Sequence, residues 1–143
     1  MEKELLNDLI IFEMANNHQG DVDHGLRIIK EMGSIARKYK VKCAVKLQYR
    51  NLDTFIHPEY KGRQDVNHIP RFESTRLSYE DFSTMIDAIK KEGMIAMSTP
   101  FDEDGVGWCI DQGLDVIKVA SCSSLDWPLL DKVAKSKKPI IIS

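Results

Sequence analysis

Short apolar runs suited to buried strands alternate with longer amphipathic stretches along this chain, which marks it as an α/β protein built on a parallel sheet. Three observations support this. The runs IIFEMA, CAVKLQ, IAMSTPF, DVIKVAS and KPIIIS recur in order, each too short for a typical helix. Between them, apolar residues return at helical spacing. The first four runs carry a polar or charged residue, Glu13, Lys46, Thr99 or Lys118, where a buried strand should emerge. In parallel α/β architectures functional groups gather at the C-terminal strand ends, which share one face. Lysine is costly to bury, so two lysines in apolar strands imply an anionic ligand there.

The elements follow in order. Residues 9–15 read as the first strand. Leu26, Ile29, Met32, Ile35, Ala36 and Tyr39 then fall on one helical face, with Asp21 or Asp23 available as the cap. Residues 42–48 form the second strand. A polar stretch, 49–77, follows, and a connection of that length is usually functional or disordered. Ser78 and Asp81 make a capping box for a helix over 79–92, stopped by Gly93. Then come a strand at 94–98, a helix at 103–112 capped by Asp102, a strand at 116–120 and a helix at 127–135. In that last helix Pro128 sits in the first turn, where its missing N–H costs nothing. Residues 139–143 begin a fifth strand. Such alternation suits a doubly wound sheet or an arc of a barrel. A complete domain rarely ends on an uncovered apolar strand, so the chain is expected to be truncated, with two open sheet edges.

Composition excludes several functions. The chain has 143 residues, enough for one domain with a real core. Its 20 basic and 22 acidic residues give a net charge of −2 without a long like-charge run, which argues against a nucleic-acid surface. The acidic N-terminus and the lack of an 18-residue apolar stretch argue against a signal peptide or a membrane span. Cys43, Cys109 and Cys122 show neither disulfide nor zinc spacing and fit a reducing cytoplasm, the expected location. His18, His24, His57 and His68 show no metal-binding spacing. Met14, Met94 and Met97 are expected in the core.

The segments IFEMANNHQGD, AVKLQ, STPFDEDGV, IKVAS and KPIIIS, in this order and spacing, closely resemble the N-acetylneuraminate (sialic acid) synthase family. That resemblance implies a (β/α)₈ TIM barrel of which residues 1–143 supply about five strands, the remaining strands and a C-terminal antifreeze-like domain being absent. It also implies condensation of phosphoenolpyruvate with an N-acylmannosamine-type amino sugar, releasing phosphate. Lys46, Thr99, Lys118, Ser121 and Ser143 match positions around phosphoenolpyruvate, whose two anionic groups suit ammonium and hydroxyl donors. Glu13 and Gln48 match positions near the acceptor sugar, and Glu13 is suited to managing protons. His18, in the first loop, borders the acceptor in this reading. The stretch 49–77 helps cover the sugar, with Arg63, Asn67 and Arg71 as open alternatives.

The family also implies a divalent metal, Mn2+ or Mg2+, whose histidine ligands are expected beyond residue 143, leaving no metal ligand here and an inactive fragment. The whole protein is expected to be a homodimer. One departure stands out: Ser123 occupies a position where many members carry a sugar-side glutamate. The alternatives are another phosphoenolpyruvate-dependent 3-deoxy-2-ketoacid synthase or a non-catalytic phosphosugar-binding fragment.

Overall fold

The computed structural model describes residues 2–143. Five strands, β1 (Ile10–Ala15), β2 (Cys43–Tyr49), β3 (Ile95–Pro100), β4 (Val116–Val119) and β5 (Ile140–Ile142), form one sheet in sequence order. Every neighbouring pair is parallel. The helices are α1 (Glu2–Leu6), α2 (Val22–Tyr39), α3 (Leu52–Phe55), α4 (Ile69–Ser74), α5 (Tyr79–Lys91), α6 (Glu103–Asp111) and α7 (Trp127–Lys135).

Strand alternation sorts the side chains into two sets. Phe12, Met14, Val45, Leu47, Tyr49, Ala96, Ile117 and Val119 share one core with residues from α2, α5, α6 and α7. The opposite set, Ile11, Ala44, Ile95, Met97, Val116 and Ile141, forms a second cluster with Leu5, Leu6 and Leu9. All four long helices therefore cover one face, and the strand order never reverses. A doubly wound sheet reverses its order and takes helices on both faces, so the winding is the one found in β/α barrels.

Local signals explain the helix ends. The Asp21 side chain caps α2, Ser78 and Asp81 close the capping box on α5, and Asp102 and Asp126 cap α6 and α7. Helix α2 lies close to α5, and a Cβ at Gly25 would come within 2.7 Å of Met85 Sδ, so a larger residue there would require the Met85 side chain to shift. Met14, Met94 and Met97 are all buried, as expected.

The structure departs from the sequence reading in four places. Helix α1 was not foreseen; its Leu5 and Leu6 close the N-terminal end of the face that lacks the long helices. Ile35 and Tyr39, expected on the buried face of α2, are 45% and 64% exposed, and Gly25 and Gly33 take the close-packed positions instead. Strand β3 runs on through Thr99 to Pro100. The polar stretch 49–77 is ordered, with α3, a 3₁₀ turn at Pro58–Tyr60 and α4 around a satellite core of Leu52, Ile56 and Ile69 packed by Val66 and Phe72. Those apolar residues are too sparse in sequence to show a period.

Strand β1 also carries a bulge. Glu13 pairs with Lys46 but Ala15 pairs with Leu47, which leaves Met14 as the extra residue. Ala15 has φ 46°, a left-handed conformation that costs a non-glycine residue about 1–2 kcal/mol. Bulges of this kind re-aim side chains near functional sites.

Leu47, fully buried in the middle of β2, sets a stability test. Leu47→Ala is expected to lower unfolding free energy by about 2–5 kcal/mol, whereas Tyr39→Ala on the exposed side of α2 should change it by less than about 0.5 kcal/mol. Urea titration followed by tryptophan fluorescence measures both.

Candidate functional site

Six of the seven sequence-predicted residues share the face that the long helices leave open. Register puts Glu13 beside Lys46 and Gln48 beside Thr99, and Lys118 and Ser143 continue the row on β4 and just past β5. The face is graded along the strands: apolar at the N-terminal end, where α1 sits, and polar at the C-terminal end. Parallel strands in register project the last inward residue of each strand to the same height, which produces that rim.

Lys46 is 8% exposed. Its Nζ lies 2.5 Å from Glu13 Oε2 and donates to Thr99 Oγ1 at 3.4 Å. Lys118 Nζ donates to Ser143 Oγ at 2.6 Å and to the Val119 carbonyl at 3.2 Å, and no carboxylate pairs with it among the described residues. The rim thus carries two ammonium groups against one half-exposed carboxylate. Its surplus positive charge and two inward hydroxyls, on Thr99 and Ser143, suit an anion with several acceptor atoms. Ser121 is less well integrated: it opens the 3₁₀ turn Ser121–Ser123 past β4, exposed, with no side-chain partner among the described residues. Ser123 is buried within that turn, so the position expected to hold a sugar-side glutamate does not present its side chain to solvent.

Sequence reasoning missed Arg50. It follows β2 and lies over the rings of Phe101, Phe72 and Phe55, its Cζ at 3.8, 4.6 and 5.8 Å from the centroids. Arg50 Nη1 donates to Gln48 Oε1 at 3.1 Å, while its buried Nε has no partner. Burial pulls its pKa down to about 10, which still leaves it charged at neutral pH. The signal was its adjacency to β2; the aromatic cage comes from α3, α4 and the β3 end, which no local pattern links.

Asp102 caps α6, as its sequence suggested, and also acts as a tie that the sequence did not show. Its carboxylate accepts from the N–H groups of Asn51 and Gly105 at 2.7 and 2.6 Å, joining the loops after β2 and β3. Burial pushes its pKa up, against those hydrogen bonds.

No group of three or more His, Cys, Asp or Glu that could hold a metal occurs among the described residues. Glu13, the rim's carboxylate, is already engaged by Lys46. These residues alone do not fit a divalent cation. No helix among the described residues is long and apolar enough to cross a membrane.

A singly wound β/α sheet with cationic and hydroxyl groups on its C-terminal rim defines a β/α protein of the strand-end-site class. The chain belongs to the NeuB family, whose sequence profile matches residues 34–143. That span contains Lys46, Gln48, Thr99, Lys118, Ser121 and Ser143. The crystal structure of a protein assigned as spore coat polysaccharide biosynthesis protein E from Chromobacterium violaceum is similar, with a TM-score of 0.92 and 46% identity over 95% of this chain and 40% of that one. An uncharacterized protein of Methanocaldococcus jannaschii is 34% identical over 94% of this chain and 36% of its own length. The N,N'-diacetyllegionaminic acid synthase of Legionella pneumophila is 27% identical over 94% of this chain and 38% of its own length. The chain therefore spans well under half the length of these relatives, and its motif resemblance to sialic acid synthases agrees with the family it belongs to.

His18, expected to border an acceptor, is instead 1% exposed, edge-on to Phe82 at 6.1 Å. Its Nδ1 accepts from Gly20 N at 3.1 Å, which puts the ring proton on Nε2, a buried atom without a partner. Burial, and secondarily the charge of His24, hold its pKa below the usual 6.5. The unfolded chain then binds a proton at His18 before the folded one does, so stability falls as pH drops below about 6.5. Urea midpoints measured between about pH 7.5 and 5.5 should decline for the native chain and decline less for His18→Gln.

Proposed function

We propose that this chain is the phosphoenolpyruvate-binding part of a synthase. The parent condenses phosphoenolpyruvate with an N-acylmannosamine-type sugar to give a sialic or related nonulosonic acid plus phosphate. The observation that carries this reading is the rim in which Lys46 with Thr99 and Lys118 with Ser143 face the same open side as Glu13. Phosphoenolpyruvate carries its carboxylate and its phosphate on the same carbon, C2, of one small frame, and two separated ammonium groups with hydroxyl donors match it. NeuB family membership and the similarity to a legionaminic acid synthase support the same chemistry.

In this reading the π pair of phosphoenolpyruvate forms a bond from C3 to the aldehyde carbon of the open-chain sugar, whose oxygen takes up a proton. Water adds at C2 and loses a proton. The tetrahedral intermediate then expels phosphate by C–O cleavage and leaves the 2-keto acid. Lys46, Lys118, Thr99, Ser121 and Ser143 hold and neutralise phosphoenolpyruvate, the lysines as electrostatic groups without a covalent intermediate. Glu13 is positioned through Lys46 to move a proton on the acceptor side, and Gln48 orients sugar hydroxyls.

Our reading completes the arc as a (β/α)₈ barrel and places the ligands of a divalent cation, manganese or magnesium, beyond residue 143. The cation would serve as a Lewis acid. It also places the parent in the cytoplasm as a homodimer.

Calorimetric titration of phosphoenolpyruvate into this chain tests the first half. Lys118→Met and Lys46→Met should each weaken binding by about tenfold or more, and Glu13→Gln should leave it nearly unchanged. Binding indifferent to both lysines would overturn the assignment. Phosphate release on mixing phosphoenolpyruvate, manganese and N-acylmannosamines is expected only from protein that carries the remaining strands.

A further inference from the structure

Beside the lysine rim the fold builds a second cationic feature. Ala15, Asn16, Gln48, Arg50, His68, Arg71 and Phe72 line an open cavity of about 330 Å³, within the usual range for small-ligand sites, about 300–1,000 Å³. Two guanidinium groups border it, and neither forms an ion pair among the described residues. Arg37, Arg63 and Arg76, by contrast, each hold a carboxylate, on Glu92, Asp65 and Asp53. Asp102, the acid whose charge Arg50 feels, has both oxygens engaged by backbone N–H groups.

Arg50 is half-buried, and its Nε is buried without a partner; an unmet donor of this kind is costly, and an acceptor bound at the guanidinium would offset that cost. The contacts with the rings of Phe55, Phe72 and Phe101 hold the guanidinium but give its Nε no acceptor. The rings fix the plane of the fork before any ligand arrives, and a fixed planar fork suits the paired oxygens of a carboxylate or phosphate. Arg50 also holds Gln48, the residue assigned above to the acceptor, which puts the fork on the acceptor side of the rim.

We propose that Arg50 and Arg71 form a second anion subsite that holds an acidic group, carboxylate or phosphate, on the acceptor sugar. The assignment to an acceptor rests on the synthase reading; the anion subsite itself does not. A neutral N-acylmannosamine offers hydroxyls and an amide to this cavity and leaves the guanidinium groups without a counter-charge. An acidic sugar supplies that charge.

The test uses this chain with phosphoenolpyruvate at saturation, so that the lysine rim is occupied. Mannose, mannose 6-phosphate and mannuronate are titrated in, and the Arg50 Nε–H resonance, assigned by its loss in Arg50→Lys, is followed by NMR. At least one acidic sugar should bind about tenfold or more tightly than mannose and shift that resonance, and comparison of the two tells phosphate from carboxylate. Arg50→Lys and Arg71→Gln should each reduce the preference while phosphoenolpyruvate binding persists. Arg71 is exposed, so its variant keeps the test valid if the cage variant fails to fold. Equal affinity for all three sugars, or a preference that survives both substitutions, overturns the subsite. Loss of phosphoenolpyruvate binding with the acidic preference intact overturns the synthase reading and leaves the subsite standing.

Discussion

One-sided cover of the sheet is the constraint on which the rest depends. With α2, α5, α6 and α7 all on one face, the outward strand positions are apolar almost throughout, Ser98 on β3 being a fully buried polar one. Polar chemistry is left with the alternate positions, and among those with the ends that α1 does not close. Lys46 is tolerable in a buried strand because this end opens to solvent and Glu13 meets its charge. Tyr49 shows the converse. It points to the helices, fully buried, and its hydroxyl donates to Gln112 Oε1 at 2.6 Å, while Gln48 before it and Arg50 after it line the open cavity.

Much of this was legible in the chain, and the reasons differ by element. Strands and long helices announce themselves through periodicity and caps, so β1 to β5, α2, α5, α6 and α7 were placed to within a residue or two. The rim was legible because a lysine inside an apolar run violates burial preferences locally; Glu13, Lys46 and Lys118 each stand out against their own neighbours. The hydroxyls became meaningful only through register, and the structure brings Thr99 and Ser143 to the lysines but leaves Ser121 exposed. The stretch 49–77 could not be read, since its core draws on residues seventeen or so positions apart and its helices are too short to show a period.

That same stretch contributes most of the second cavity, and it is anchored at both ends. Asp53 pairs with Arg76 and Asn51 donates to Asp104, so its start is tied both to its own far end and to the first turn of α6. Ion pairs this exposed add little stability singly; their effect here is to limit the conformations of a long connection and thereby hold Phe55 and Phe72 where the Arg50 cage needs them.

The bulge at Met14 works as a frameshift in the inside-outside code of β1. An unbroken strand would set Asn16 opposite Tyr49, on the helix side. With one residue added, the strand's phase changes beyond Glu13, and Asn16 arrives instead with Gln48 and Arg50 on the cavity wall. Residues before the bulge follow the even-odd rule of the sheet, whereas β1 ends at Ala15, just past it, and Asn16 already belongs to the turn. An alignment of this segment that ignores the slip would compare a wall residue in one protein with a core residue in another.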